Sequence, residues 1–231
     1  MVAVIGDIHG CYYTLAALYQ KIIFSYPNIP IFTVGDLVDR GNHSCEVFNF
    51  ILENNITFTP GNHDYMFFHF FKEPQSVFAR SWFFNGNEST LESYENREKE
   101  MFQHVEAIRL AQLYYNLPDC FISHAGISAQ YEKYLPPNFR DDLDIVDSYI
   151  KNDLRSDRGI LWTRDSLLNI GKLQIVGHTT KHEITLVEDS NTAYIDTGVF
   201  LGNKLSAVIV HENNVIATLE EKTHMEDIIK Y

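Results

Sequence analysis

Asp7, His9, Asp36, Asn62, His124 and His178 could hold metal ions together, because each closes a short apolar run. Residues 2–5 run into Gly6-Asp7-Ile8-His9-Gly10, and residues 31–34 into Gly35-Asp36-Leu37-Val38-Asp39-Arg40-Gly41. Residues 56–59 lead through Pro60 into Gly61-Asn62-His63-Asp64, 120–123 deliver His124, and 173–176 deliver Gly177-His178. β-rich runs stopped by glycine and polar residues predict strands emptying into loops. In open α/β sheets, ligands gather at the carboxyl ends of strands. Hard and borderline donors from several segments, with one carboxylate shared, suit a two-metal site that hydrolyses phosphate esters.

The expected roles follow from that chemistry. Asp7 and His9 are two apart, so both can face one side of an extended loop. Asp36, ending the neighbouring strand, is the expected bridging carboxylate. One ion is assigned to Asp7, His9 and Asp36, and the other to Asp36, Asn62, His124 and His178. Two divalent ions at about 4 Å would activate a bridging water for in-line attack at phosphorus. A leaving alkoxide needs a proton, and His63 is the candidate general acid. Asp39 is its candidate partner, holding the tautomer and raising basicity. Arg40 and Arg164 are expected to clamp the non-bridging phosphate oxygens. An Asp-x-His pair alone is weak, and His43, His69, His104, His182, His211 and His224 read as ordinary surface or core residues. The agreement of order, spacing and strand-end position across six ligands is what favours the metal reading.

The elements that must position these residues are legible as patterns. Helices are expected over 12–24 and 44–52, and the first third reads as β-α-β-α-β, hence a parallel sheet with right-handed crossovers. Residues 64–113 read as a mainly helical insertion. Its aromatic residues are taken as a satellite core, and its acidic stretch 88–100 as a solvated helix face. Later strands are expected over 120–123, 173–176, 183–187, 192–195, 204–210 and 215–219, with a hairpin turn at Glu212-Asn213-Asn214 and a surface helix over 141–150. The tail 220–231 predicts a short amphipathic helix. The fold class is α/β, with two mixed sheets packed as a central sandwich flanked by helices, and residues 1–231 read as one domain.

Composition narrows the functions. A net charge of −13 and a pI near 5.1 disfavour nucleic acid as a partner. They do not disfavour an anionic substrate, since bound divalent ions and a few arginines invert the local field. No apolar run approaches the roughly 18 residues of a membrane span, so no membrane association is expected. The first strand, starting at Val2, leaves no room for a signal peptide. Cys11, Cys45 and Cys120 are an odd set without paired spacing and read as reduced thiols, which with the missing leader points to the cytoplasm.

On Gly6-Asp7-Ile8-His9-Gly10, the Gly35–Gly41 signature and Gly61-Asn62-His63-Asp64, the chain resembles the calcineurin-like metallophosphoesterases, in their phosphoprotein-phosphatase branch. Ser123-His124-Ala125-Gly126, Leu161-Trp162-Thr163-Arg164, Gly177-His178-Thr179 and Tyr194-Ile195-Asp196-Thr197-Gly198 are similar to elements of small bacterial and phage serine/threonine phosphatases, lambda phosphatase among them. The resemblance implies manganese, with iron or zinc as alternatives, and phosphomonoester hydrolysis without a covalent intermediate. It also implies Asp39 as partner of His63. The chain departs from that branch at Asp64, where glutamate is usual, at Asn42, where proline is common, and at Asn85-Gly86-Asn87, which approximates Asn-Gly-Gly. The Asp64 ending also occurs in symmetrical dinucleoside tetraphosphatases, which are longer and carry alanine where this chain has Asp39. The leading expectation is a serine/threonine protein phosphatase acting on phosphorylated protein, with a symmetrical dinucleoside tetraphosphate hydrolase as the alternative. A non-catalytic binding protein of the same fold ranks last, because no ligand, acid or clamp arginine is missing. Oligomeric state is left open.

Overall fold

The computed structural model describes residues 1–229. Its first third alternates strands and helices: β1 (Val2–Ile5), α1 (Tyr12–Ser25), β2 (Ile31–Thr33), α2 (Ser44–Glu53) and β3 (Thr57–Phe58). Four helices follow: α3 (Asn62–Lys72), α4 (Val77–Trp82), α5 (Glu88–Ser93) and α6 (Glu98–Leu110). The remainder holds β4 (Tyr114–Asn116), β5 (Phe121–Ser123), α7 (Asp144–Asn152), β6 (Gln174–Val176), β7 (Thr185–Val187), β8 (Thr192–Tyr194), β9 (Lys204–His211) and β10 (Asn214–Lys222).

Two mixed five-stranded sheets result, ordered β10-β9-β1-β2-β3 and β4-β5-β6-β8-β7. In the first, β1 and β2 run parallel with Ala3 opposite Ile31, and β9 returns antiparallel with Val4 opposite Val208. In the second, β5, β6 and β8 are parallel, with antiparallel β4 and β7 at the edges. The period-two alternation of strand side chains divides the core. Val2 and Val4 face the second sheet and pack with Val208, Val210, Ile122, Ile175 and Ile195. Ala3 and Ile5 point the other way, onto Leu15, Leu18 and Ile22 of α1 and Val47, Phe48 and Ile51 of α2. The second sheet's outer face carries Phe121 against Val146 and Ile150 of α7. The sandwich flanked by helices is as expected, and its two sheets end side by side where the ligand loops emerge.

Several local expectations change. The acidic stretch 88–100 is two helical segments, not one solvated face: Glu88, Glu92 and Glu95 are exposed, but Ser89, Thr90 and Tyr94 are buried. The expected helix over 141–150 begins at Asp144, after a one-turn 3-10 segment at Phe139–Asp141. The edge strand β4 had no predicted counterpart, because a three-residue Tyr-Tyr-Asn run has too little pattern to register. The 204–222 hairpin closes on two residues, Glu212 and Asn213, with φ of 47° and 60°. Two successive left-handed residues make the mirror-image turn that matches strand twist, so Asn214 already belongs to β10. The tail expectation is also corrected. β10 continues to Lys222, because Glu220, Glu221 and Lys222 still pair with Ser206, Leu205 and Lys204. A 3-10 turn at Met225–Asp227 replaces the amphipathic helix, and residues 230–231 lie outside the described part.

Candidate active site

The loops after β1 and β2 are laced together. His9 N–H donates to Asp36 O at 2.7 Å, Gly10 N–H to Leu37 O at 2.9 Å, and Gly41 N–H to His9 O at 3.0 Å. The lacing forces His9, Asp36, Asp39 and Arg40 into left-handed backbone, with φ of 45°, 50°, 71° and 74°. Such conformations cost non-glycine residues about 1 kcal/mol or more each and persist where surroundings over-determine them. Glycine is required at two close approaches: a Cβ on Gly61 would collide with Asp36 Oδ1, and one on Gly177 with Asp7 Oδ1.

The six predicted ligands come together at the adjoining sheet ends, all buried. Asp36 sits centrally, with Oδ2 3.4 Å from His9 Nε2 and Oδ1 3.5 Å from His124 Nε2. Two groups of donor atoms lie within 4.8 Å of one another: Asp7, Asp36 and His124, and His9, Asp36 and His63. Asn62 Oδ1 lies 3.0 Å from both His124 Nε2 and His178 Nδ1. The grouping differs from the expected division, since Asp7 lies with His124 and His63 is near enough to offer a donor.

Each imidazole is oriented by a main-chain carbonyl, which can only accept. His9 Nδ1 donates to Val38 O at 3.0 Å, His124 Nδ1 to Val34 O at 2.8 Å, and His178 Nε2 to Trp162 O at 3.1 Å. The remaining nitrogen of each ring therefore presents a lone pair inward, the arrangement that fixes metal-ligating histidines. His124 Nε2 and His178 Nδ1 then face each other at 3.2 Å with Asn62 Oδ1 beside them. Three electron-rich atoms converge with no hydrogen between them. Asp7 Oδ1 is likewise buried, with no hydrogen-bond partner among the described residues. Both observations fit a cation, and the nitrogen-and-oxygen donor set fits divalent metal ions.

The electrostatics agree with this reading. Burial, then the Asp196 and Asp36 charges, push Asp7 well above the carboxylate range. Burial acts the same way on Asp36, but the surrounding His124, His63, His9 and His178 outweigh it and hold its carboxyl low. Burial depresses His9 and His124, and with help from His124 it drives His178 down to about 3. Each of these shifts favours the neutral ring, the form a metal ligand must take.

The other predicted residues cluster around these. His63 Nδ1 donates to Asp39 Oδ2 at 2.6 Å, and its backbone N–H donates to Asp36 Oδ1 at 3.0 Å. Burial opposes the His63 imidazolium, but Asp36 and Asp39 lift its pKa above the ordinary value. Arg40 spans the site, with Nη1 3.2 Å from His9 Nε2 and Nη2 3.1 Å from His63 Nε2. Its guanidinium also lies 4.1 Å above the Phe200 ring. Arg164 is exposed at the rim, where Nη1 donates to His178 O at 3.3 Å.

Four further residues contribute: Trp82 and Thr90, which no sequence motif marks, and Asp64 and Asp196, which lie within the motifs above without a role assigned to them. Trp82 Nε1 and Thr90 Oγ1 donate to Asp39 at 2.8 Å and 2.7 Å, so the helical region reaches the site. Trp82 was assigned to a satellite core, and nothing in its spacing distinguishes the two roles. Asp64 takes backbone N–H groups from Leu37, Val38 and Gly61, tying the second and third loops together. Burial and the Asp36 charge push it up to about 8. Asp196 lies just past β8 and accepts from Thr180 Oγ1 at 2.6 Å. Its strand-end position was the available signal.

Residues 1–213 match the family model of calcineurin-like phosphoesterases, and the chain belongs to that family. It is therefore a metallophosphoesterase, a hydrolase whose family uses divalent metals in a dinuclear site. Relatives include the bis(5'-nucleosyl)-tetraphosphatase PrpE [asymmetrical] of Anoxybacillus flavithermus, 26% identical, with 93% of this chain and 92% of that protein covered. Another is the protein of the same name from Bacillus mycoides, 29% identical, covering 89% and 88%. Similar solved structures include the cold-active protein-tyrosine phosphatase of a psychrophilic Shewanella, with TM-score 0.63 and 18% identity over 96% of this chain and 80% of that one. A Saccharomyces cerevisiae protein serine/threonine phosphatase has TM-score 0.57 and 15% identity over 100% and 80%. These structural likenesses support the shared fold. Among the described residues, no helix is long and apolar enough to cross a membrane.

Proposed function

We propose that this protein hydrolyses a phosphoanhydride of a dinucleoside tetraphosphate, cutting it asymmetrically into a nucleoside triphosphate and a nucleoside monophosphate. The observation that carries the substrate is the near-complete mutual coverage by relatives named bis(5'-nucleosyl)-tetraphosphatase [asymmetrical], which sets this reading ahead of the phosphoprotein expectation. Asp7, His9, Asp36, Asn62, His124 and His178 are the residues we assign to two divalent cations, manganese first. When bound, such ions supply Lewis acidity and an activated hydroxide. The chain forms one catalytic domain, with residues 64–113 as a mainly helical insertion. Three unpaired, buried cysteines support a cytoplasmic setting.

Our reading gives the chain's own groups these tasks. Arg40 leaves the ring nitrogens of His9 and His63 and donates to phosphate oxygens, with Arg164 donating from the opposite rim. Departure of its donors frees His63 Nε2 to take a proton from solvent water, because the proton on Nδ1 is already committed to the bond with Asp39. His63 then gives the Nε2 proton to the leaving oxygen, and Asp39 stabilises the imidazolium in the interval. Trp82 and Thr90 keep Asp39 oriented for that task.

A second reading, phosphoserine or phosphothreonine hydrolysis, is favoured by the Asp39–His63 pair, since an alkoxide depends on a proton donor more than a phosphate leaving group does. The test is a side-by-side assay with manganese, diadenosine tetraphosphate, a phosphoserine peptide and a phosphotyrosine peptide. Fastest loss of the dinucleotide, with ATP and AMP as products, is expected. Two equivalents of ADP would replace asymmetric by symmetric cleavage, and faster peptide turnover would restore the second reading.

A further inference from the structure

We infer that Asp227, in the tail beyond the family match, is a positioning residue that sets the spacing of the His9 and Arg40 loops. Helix α1 begins directly after the first ligand loop, yet its own N-cap, Cys11, makes no side-chain cap. The cap comes from the far end of the chain. Asp227 Oδ1 accepts from Tyr13 N–H at 2.9 Å, and Oδ2 accepts from Thr14 N–H at 2.9 Å and Thr14 Oγ1 at 2.6 Å. A carboxylate at a helix start satisfies orphan donors and complements the helix dipole. Asp227 is fully buried, and its main-chain carbonyl accepts from Asn42 N–H at 2.8 Å. The same residue therefore holds the helix behind Asp7 and His9 with its side chain and the segment behind Asp39 and Arg40 with its backbone.

The surrounding bonds strengthen this bridge. Asn42 Nδ2 donates to Glu226 O at 3.2 Å and Ile229 O at 3.0 Å, and His43 Nε2 donates to Glu226 O at 3.1 Å. His224 N–H donates to Thr14 Oγ1 at 2.9 Å. On the site side, His43 N–H donates to Gly10 O at 3.0 Å. Tail, first loop and second loop thus form one closed ring of hydrogen bonds that, among the described residues, includes neither His124 nor His178. Removing the carboxylate loosens the His9, Asp36 and His63 group, whereas Asp7, in the other group, keeps its own tie to the second sheet through His178 N–H at 3.0 Å.

The inference rests on the two-metal reading, and the experiment separates the two. Manganese is titrated calorimetrically into full-length wild type, Asp227→Asn, Asp227→Ala and Asn42→Ala, with thermal unfolding in chelator as the control for folding. Wild type is expected to show two binding steps; fewer would overturn the two-metal reading itself. In Asp227→Ala one step should weaken about tenfold, as losses outside the ligand set do, while the other stays within about twofold. Asp227→Asn, which keeps one acceptor oxygen, should fall between. If Asp227→Ala does not fold, Asn42→Ala should weaken the same single step. Unchanged affinities, or equal weakening of both steps, would overturn the positioning role.

Discussion

The two sheets bring opposite chemistry to the same seam. The first supplies carboxylates, Asp7 and Asp36, on loops with four left-handed non-glycine residues. The second supplies neutral imidazoles, His124 and His178, on short strand ends, with only His178 left-handed, at φ 61°. The carboxylate-bearing half is strained and tied by interlocked loops, with His9 as its one carbonyl-tethered ring; the His124 and His178 half is relaxed and tied by carbonyls. Strain is concentrated where like charges must approach each other, and a cation is what makes that approach favourable.

The largest expected effect comes from removing the group common to both halves. Asp36→Asn should abolish turnover by well more than the ~10–100-fold cost of an outer-shell loss. Metal analysis should find fewer than two ions per chain, and an active, fully loaded variant would break the bridging assignment. His63→Asn should slow cleavage of a phosphoserine ester by ~10²-fold but slow the anhydride less, with metal content unchanged. Equal slowing of both substrates would remove the proton-donor role. Gly177→Ala tests the seam between the halves, since the new Cβ meets Asp7 Oδ1. It should cost about 2–3 kcal/mol of stability, read by denaturant unfolding, and weaken metal binding. A neutral outcome would show that the sheets part easily.

The smallest effect lies away from the seam. Burial holds His104 at about 4, below its ordinary 6.5, and it bonds to Tyr94 Oη at 2.7 Å and Asn49 Oδ1 at 3.1 Å. Above pH 6.5 both folded and unfolded forms are neutral. On acidification the unfolded chain takes the proton first, so stability falls between about 6.5 and 4 and levels off below. The loss should be at most about 3 kcal/mol, reached only once the folded form is also protonated. His104→Gln should flatten that part of the unfolding midpoint against pH, whereas an unaltered slope would place the acid sensitivity in the metal cluster.

The site was more legible than the fold around it. The six ligands could be read because each follows a β-rich run and all but His124 sit beside a glycine, a local signal. Strand and helix positions were recoverable where the apolar period is sustained, as in α1 and β9, and drifted where elements are two or three residues long, as in β3 and β4. What stayed hidden is non-local. Trp82 reaches Asp39 across 43 residues, and Asp227 reaches Thr14 across 213. No spacing rule connects such pairs. The tail misreading has the same cause, since pairing with β9 overrides the local preference of residues 220–222.

The three ring tethers end on the main-chain oxygens of Val34, Val38 and Trp162, and none on a side chain. Ligand direction is accordingly inherited from the course of the backbone. The side chains at those three positions set no ligand direction themselves, so any exchange that the core packing around Val34, Val38 and Trp162 accepts leaves the geometry of the chemistry in place.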